Sequence, residues 1–284
     1  MAKKKNIVIV KANGERQVFS ERKLRSSLRR ARVRKNTIDS IVNTIKREIR
    51  EGATTQDITK RAFELLRKDR HSEAARYNLR NAIMALGPNG FPFETLVGEI
   101  FRAQGFTVDV GVVDRGWCTE HEIDVSARKG AQHVLAECKF HNERGVKSDL
   151  KVALYVHARF MDLERWHEHT RPDKSRFHEG WLVTNTKLTW HAIEYAECAG
   201  LKMLAWNYPK KGSLRDILLE SGVHPITCLE TLSKKDVRNL LNKRVVSFQQ
   251  FEEERDVVRS AGISAERIAR TMKEIERLRI ECKG

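Results

Sequence analysis

The sequence has no run of about 18 apolar residues, so it offers no membrane-spanning helix. Met1-Ala2-Lys3-Lys4-Lys5 leads into only four apolar residues, Ile7 to Val10, too few for the hydrophobic region of a secretion signal. Cysteine is sparse: five residues, an odd number, scattered and without a C-x-x-C pair. That excludes a disulfide framework and reads as reduced thiols in a cytoplasmic protein. Cys118, His121, His133, Cys138 and His141 do gather in one stretch, but their spacing matches no common zinc module. Only five prolines occur in 284 residues, there is no low-complexity tract or long internal repeat, and 40% of residues are hydrophobic, enough apolar material for real cores. Acidic residues are outnumbered: 38 Asp and Glu face 54 Lys and Arg, a net charge of +16. A chain this basic suits a polyanion such as DNA, because neutralised phosphates release condensed counterions.

What is present divides into three parts. Residues 1–88 read as a small, mainly helical domain. Ile7 to Lys11 is a strand, Asn13-Gly14 a tight turn, and 17–19 a short return strand. Ser20 caps a first helix and Thr37 a second, whose Ile38, Ile41, Val42, Ile45 and Ile49 form an apolar stripe. Thr55 starts a third helix, and a fourth covers 72–86. Four of the six residues from Gly87 to Pro92 are Gly or Pro, and this punctuation marks a domain boundary and hinge.

Residues 89–208 change rhythm. An amphipathic helix carries Phe93, Leu96, Val97, Ile100 and Phe101 and ends near Gly105. Strands follow at 106–112, 122–127 and 133–140, then a helix over 148–165, a strand at 181–184, a helix over 189–199 closed by Gly200, and a strand at 202–206. The order α-β-β-β-α-β-α-β predicts an α/β fold with a mixed sheet flanked by helices. Residues 209–284 read as a basic helical tail. Lys234, Lys235, Arg238, Lys243 and Arg244 there suit phosphate contact, or simply form a solvated face. His167, His169 and His178 fall in a polar loop with Pro172.

Three residues in the middle segment carry chemistry. Asp124 lies in Glu122-Ile123-Asp124-Val125, and Glu137 and Lys139 lie in Ala136-Glu137-Cys138-Lys139. Side chains alternate along a strand, so Glu137 and Lys139 share one face, and a hairpin turning near Lys129-Gly130 brings Asp124 beside Glu137. Two carboxylates and a main-chain carbonyl are hard oxygen ligands for Mg²⁺. A lysine alongside can position a water and oppose developing negative charge. E-x-K alone also describes an exposed ion pair on a half-buried strand.

Phe93-Glu94, the helix to Gly105-Phe106, Glu122-Ile123-Asp124-Val125, Ala136-Glu137-Cys138-Lys139, Leu182-Val183-Thr184-Asn185 and Ala192 to Gly200 resemble the catalytic domain of Mrr-type restriction endonucleases, over residues 91–206. The resemblance implies a restriction-endonuclease-like fold and a Mg²⁺- or Mn²⁺-dependent endonuclease. Asp124, Glu137 and Lys139 would be its catalytic set, Asp124 and Glu137 its metal ligands, and Glu94, or Glu99 on the same helix, an accessory residue. Glu137 stands where many such members carry Gln. Lys11-Ala12-Asn13-Gly14, Phe19, Lys23-Leu24, Thr55 and Arg76-Tyr77-Asn78-Leu79-Arg80 resemble an ATP-cone, the regulatory domain of ribonucleotide reductases and their repressor. This implies ATP or dATP bound by Val10, Lys11, Lys23, Leu24 and Thr55, and a homo-oligomer that responds to it. Ala12 replaces a frequent Arg of that family and Thr59 a frequent His. No Walker A motif is present, so nucleotide hydrolysis is not expected. The competing expectation is a nucleotide-responsive DNA-binding regulator that cleaves nothing.

Overall fold

A computed structural model describes residues 7–11, 14–69, 71–170 and 179–283, without the side chains of 69, 72 and 280–283. Ala12, Asn13, Pro172 and His178 and the first residues of the chain lie outside the described residues. The chain divides into two compact units, residues 1–80 with 273–284, and residues 81–272.

In the first unit, β1 (Val8–Val10) and β2 (Arg16–Val18) form an antiparallel hairpin in which Ile9 faces Gln17. Helix α1 (Glu21–Arg30) follows, and the Ser20 hydroxyl caps it by accepting from the Lys23 N–H. Helix α2 (Lys35–Glu48) begins two residues before Thr37, after Arg34, which makes no side-chain cap. The apolar stripe read from the sequence is its buried face, since Ile38, Ile41, Val42 and Ile45 join Leu28, Ala62 and Leu66 in one core. Helix α3 (Thr55–Asp69) starts where Thr54 and Asp57 exchange hydrogen bonds between side chain and main chain. Helix α4 (His71–Met84) carries the chain across the division between the units.

The second unit is built on five strands in the order β3-β4-β5-β7-β9. Helix α5 (Phe91–Ala103) precedes β3 (Thr107–Arg115), β4 (Glu120–Lys129) and β5 (Gln132–Lys139), an antiparallel meander. A two-residue strand β6 (Lys147–Ser148) leads to helix α6 (Leu150–Thr170) and to β7 (Glu179–Thr184), which returns parallel to β5. Strand β8 (Lys187–Leu188) pairs with β6, helix α7 (Trp190–Ala199) runs between the Thr189 cap and left-handed Gly200, and β9 (Lys202–Ala205) pairs parallel with β7. The sheet is therefore mixed, as its element order predicts. Leu135 and Leu182 pack with Ala153, Val156, Phe160, Ala192 and Ala196 of α6 and α7. Val108 and Val110 lie against Gly98 of α5 instead, where a Cβ would already crowd both valines. Since Val108 and Val110 pair with Ala127 and Val125, and Leu135 pairs with Ser126, the two helix layers cover opposite faces.

The Gly87–Pro92 punctuation does not separate the units. A side chain at Gly87 would overlap Phe140 and Asn142, and Asn142 Nδ2 donates to the Pro88 carbonyl at 2.9 Å. These residues are packed into the sheet unit, and the division lies inside α4 instead. Gly and Pro interrupt a helix by backbone geometry, which says nothing of which core the turn packs against.

Nor is the chain beyond 208 a separate tail. It forms α8 (Leu214–Ser221), a 3₁₀ turn at Ile226–Cys228, α9 (Lys234–Asn242), α10 (Phe248–Glu253), α11 (Arg255–Ser260) and α12 (Ala265–Lys283). Leu214, Leu218, Val245, Val246, Phe248 and Phe251 are fully buried, the Arg244 guanidinium stacks 4.4 Å from the Phe91 ring, and Thr227 Oγ1 donates to the Ala82 carbonyl at 2.7 Å. Residues up to 272 belong to the sheet unit, and only the end of α12 belongs to the first.

Candidate functional site

The carboxylates meet where two strands part. The β4–β5 ladder runs from Lys129↔Gln132 to Val125↔Ala136 and stops there. On the other side of β4, Val110 faces Val125 and Val112 faces Ile123, and Gly111 between them takes a positive φ of 67°. A side chain is strained at that backbone angle, so glycine permits the bend. Asp124 sits at this fork. Its Oδ2 accepts the Cys138 N–H at 2.6 Å, which satisfies a donor that the interrupted ladder leaves over. Asp124 is thereby tied to the main chain between Glu137 and Lys139.

Glu137 is largely buried, and Lys139 is exposed at the end of β5. Arg159, just before buried Phe160 of α6, donates from Nη1 to Glu137 Oε2 at 2.6 Å and also donates to the Glu122 carbonyl. From the opposite helix layer, half-buried Glu94 on α5 joins the same electrostatic field. Burial and then the charges of Asp124, Glu122 and Glu137 push the Glu94 carboxyl up to about 7. Burial and the Asp124 charge likewise raise Glu137 to about 7, against the pull of Arg159 and Lys139. Asp124 is raised too, chiefly by burial, while the Cys138 N–H and Arg159 work to lower it. Glu99 takes no part: it is buried against Arg102 and within 3.4 Å of Ser247 Oγ, beside a polar cavity of about 540 Å³ that Gln250 and Glu254 also line.

Beyond Lys139 the chain is held by Asn185. Its side chain accepts the His141 N–H and donates to the His141 carbonyl, both at 2.9 Å. The end of β5 is thus clamped to the segment after β7.

In the first unit, the residues chosen for nucleotide converge around the hairpin. Val10 N–H donates to the Ala53 carbonyl at 3.0 Å, and Val10 bridges Thr54 at the start of α3, next to Thr55. Lys11 pairs with Glu15 at 2.8 Å, and Lys23 Nζ donates to Gln17 of β2 at 2.8 Å. Two helix N-termini therefore flank the hairpin, an arrangement that favours anions. Leu24 differs from the others: it is buried in the unit's core and does not present an apolar face to a ligand.

Residues 7–81 match the ATP cone domain, and residues 224–279 match the AF1548-like C-terminal domain. An uncharacterized protein of Archaeoglobus fulgidus is 33% identical over 189 residues, which is 64% of this chain and 99% of the relative. The chain belongs to the AF1548-like family. A crystal structure of a protein of unknown function, AF1548, is similar with a TM-score of 0.55 and 31% identity, covering 67% of this chain and 98% of that one.

In this AF1548-like chain the Cys and His residues of that stretch bond to other side chains or are buried. His121 pairs with Asp162, His133 with Ser126, and His141 with Ser148, while Cys138 is buried. Among the described residues no three His, Cys, Asp or Glu side chains converge to hold a metal ion. A cation at the fork would thus rest on two carboxylates, Asp124 and Glu137, with main-chain oxygen. Their oxygens are the donors a hard divalent cation takes, and the Asp124 charge raises Glu137, so a cation there would relieve their repulsion. Sequence reasoning missed Arg159 and Glu122. Arg159 lies 22 residues beyond its partner, on a separate helix whose approach to the sheet no local pattern marks. The described helices include none long and apolar enough to cross a membrane.

Proposed function

We propose that this protein is a metal-dependent endodeoxyribonuclease of the Mrr-like PD-(D/E)xK type, regulated by ATP or dATP bound to its cone. The observation that carries the reading is the fork at Asp124, where the charges of Glu137, Glu94 and exposed Lys139 act on one another between the inner strands β4 and β5 of a mixed sheet with opposing helix layers. Asp124 and Glu137 would hold Mg²⁺ or Mn²⁺, which when bound polarises a phosphodiester and acidifies a water. Lys139, exposed beside them, neutralises the phosphate and orients the attacking water. Arg159 holds Glu137 in place and supplies a second positive charge. The net charge of +16 supports a DNA partner whose affinity falls steeply as salt rises.

Nicking of supercoiled plasmid tests this. Cleavage should need Mg²⁺ or Mn²⁺, stop with EDTA, and fall at least about a hundredfold in Asp124→Ala and in Lys139→Ala, the scale of losing a metal ligand or a charge-stabilising donor. Cleavage in EDTA, or unchanged rates in both variants, overturns it. One observation favours the second reading, a nucleotide-responsive DNA-binding regulator. The Arg159–Glu137 ion pair already neutralises a carboxylate that a metal needs. DNA binding without nicking in either metal would decide for the regulator.

A further inference from the structure

Helix α6 does more than cover the sheet. Tyr155, Arg159, Asp162, Trp166 and His169 follow one another at intervals of four and three residues, so they form a single stripe along it. At its near end Arg159 reaches Glu137, and its guanidinium lies 5.5 Å from the centre of the Tyr155 ring. Tyr155 is 61% exposed, unusual for a large ring on a helix that packs on a sheet.

At the far end the β3–β4 connection is fastened to the helix. Cys118 N–H and Thr119 N–H donate to the Asp162 carboxylate at 2.8 and 3.4 Å, His121 Nε2 meets it at 2.8 Å, and Trp117 N–H donates to the Asp162 carbonyl at 3.0 Å. Gly116 makes this approach possible, because any Cβ there would overlap the Asp162 carboxylate. The result is that Trp117 is held with the Arg165 guanidinium 4.5 Å and the tilted His169 ring 4.7 Å from its own ring, while the residue stays 38% exposed. Arg115 lies 5.9 Å from the Trp166 ring just beside it. Tyr155 on α6 and Trp117 on the connection fastened to it thus each have an arginine against the ring, along the helix whose Arg159 reaches Glu137. From Arg159 to Arg165 the rise is about 9 Å at 1.5 Å per residue, two to three steps of a stacked strand at about 3.4 Å each.

We propose that Tyr155 and Trp117 are stacking platforms for unpaired bases of a DNA strand leaving the carboxylate fork, with Arg165 meeting its phosphates or ring faces. Flat rings and guanidinium planes bind the face of a base, which a continuous duplex does not offer. The substrate class is therefore DNA with a single-stranded arm beside a duplex. This rests on the nuclease reading for its DNA partner, but not on cleavage.

The test uses the full chain carrying Asp124→Ala, in EDTA, and fluorescence anisotropy with three labelled DNAs. These are a blunt duplex, the same duplex with a short single-stranded arm, and one whose arm keeps its phosphates but lacks bases. The base-bearing arm should tighten binding about tenfold, within the range of one or two stacked bases. Trp117→Ala and Tyr155→Ala should each lose much of that gain, Trp117→Phe should keep most of it, and the abasic arm should give little of it. Thermal melting checks that each variant is folded. Equal affinity for all three DNAs, or a folded Trp117→Ala and Tyr155→Ala that both bind as the parent does, overturns the proposal. If the wild type fails to nick DNA with metal while the arm preference stands, the nuclease reading falls and the platform remains.

Discussion

Glu137 and Glu94 keep their protons to unusually high pH, and this costs the metal-free protein stability. Each is raised from 4.5 to about 7, first by burial and then by neighbouring carboxylates. A group whose folded value is raised stabilises the fold fully below its unfolded value and loses that contribution as pH climbs through the folded one. In EDTA, therefore, their contribution is intact near pH 4.5 and gone above about 7. At about 1.4 kcal/mol per unit, and discounted for hydration and coupling, the loss is on the order of 2 kcal/mol for Glu137 and less for the more exposed Glu94. Glu137→Gln should accordingly melt higher than the parent at pH 8 and draw level with it near pH 5. Asp162, held down to about 2 by His121 and the Cys118 and Thr119 N–H groups despite its desolvation, works in the opposite direction. The comparison of variant with parent at each pH cancels it. A constant difference in melting temperature across pH 5 to 8 would contradict the raised carboxyl.

At the scale of elements, the residues after 208 make the sharpest prediction. Phe248 and Phe251 are fully buried, and Ser247 caps α10 while its hydroxyl lies against Glu99 of α5. Phe248→Ala should destabilise the second unit by about 3–5 kcal/mol, the usual range for a buried ring. Truncation after Pro209 should leave that unit without cooperative unfolding in urea. A truncated chain with a parent-like urea midpoint would show that the C-terminal helices are dispensable. This reverses what composition alone suggests, a basic appendage whose loss weakens DNA affinity and spares the fold. The middle strands and helices were legible because period-2 and period-3.6 patterns survive in Val108 to Val112, Val134 to Cys138 and Ala192 to Ala196. The C-terminal helices were not, since two of them have only six residues and present little periodicity, and their apolar anchor Val245-Val246-Ser247-Phe248 sits between charged stretches. The carboxylates at the fork were readable from spacing. Arg159 was not, because its role depends on where α6 lands across the sheet.

At the scale of the whole molecule, two units are joined twice inside helices, at α4 and at α12, and neither junction is a flexible linker of Gly and Pro. Regulation by nucleotide, if carried by the cone, must then act by a difference in affinity between two states of the full chain, since a ligand shifts an equilibrium only by what it distinguishes. Lys11 and Lys23 are the charges beside the hairpin and the two helix N-termini. ATP or dATP should displace their present partners, Glu15 and Gln17, because a triphosphate offers more negative charge than either. Titration calorimetry on the intact protein should show binding without hydrolysis, and sizing with and without nucleotide should show a changed oligomeric state. Lys11→Ala with Lys23→Ala should weaken binding by about tenfold or more, on the scale of two charge-assisted hydrogen bonds, and leave plasmid nicking without nucleotide at the parent rate. Leu24→Ala should behave differently: it empties core volume, so it should lower stability by about 2–5 kcal/mol before it changes nucleotide affinity. No heat with either nucleotide at high micromolar concentration, in a protein that melts normally, would mean that the cone serves this chain as a scaffold and that control of the fork lies elsewhere.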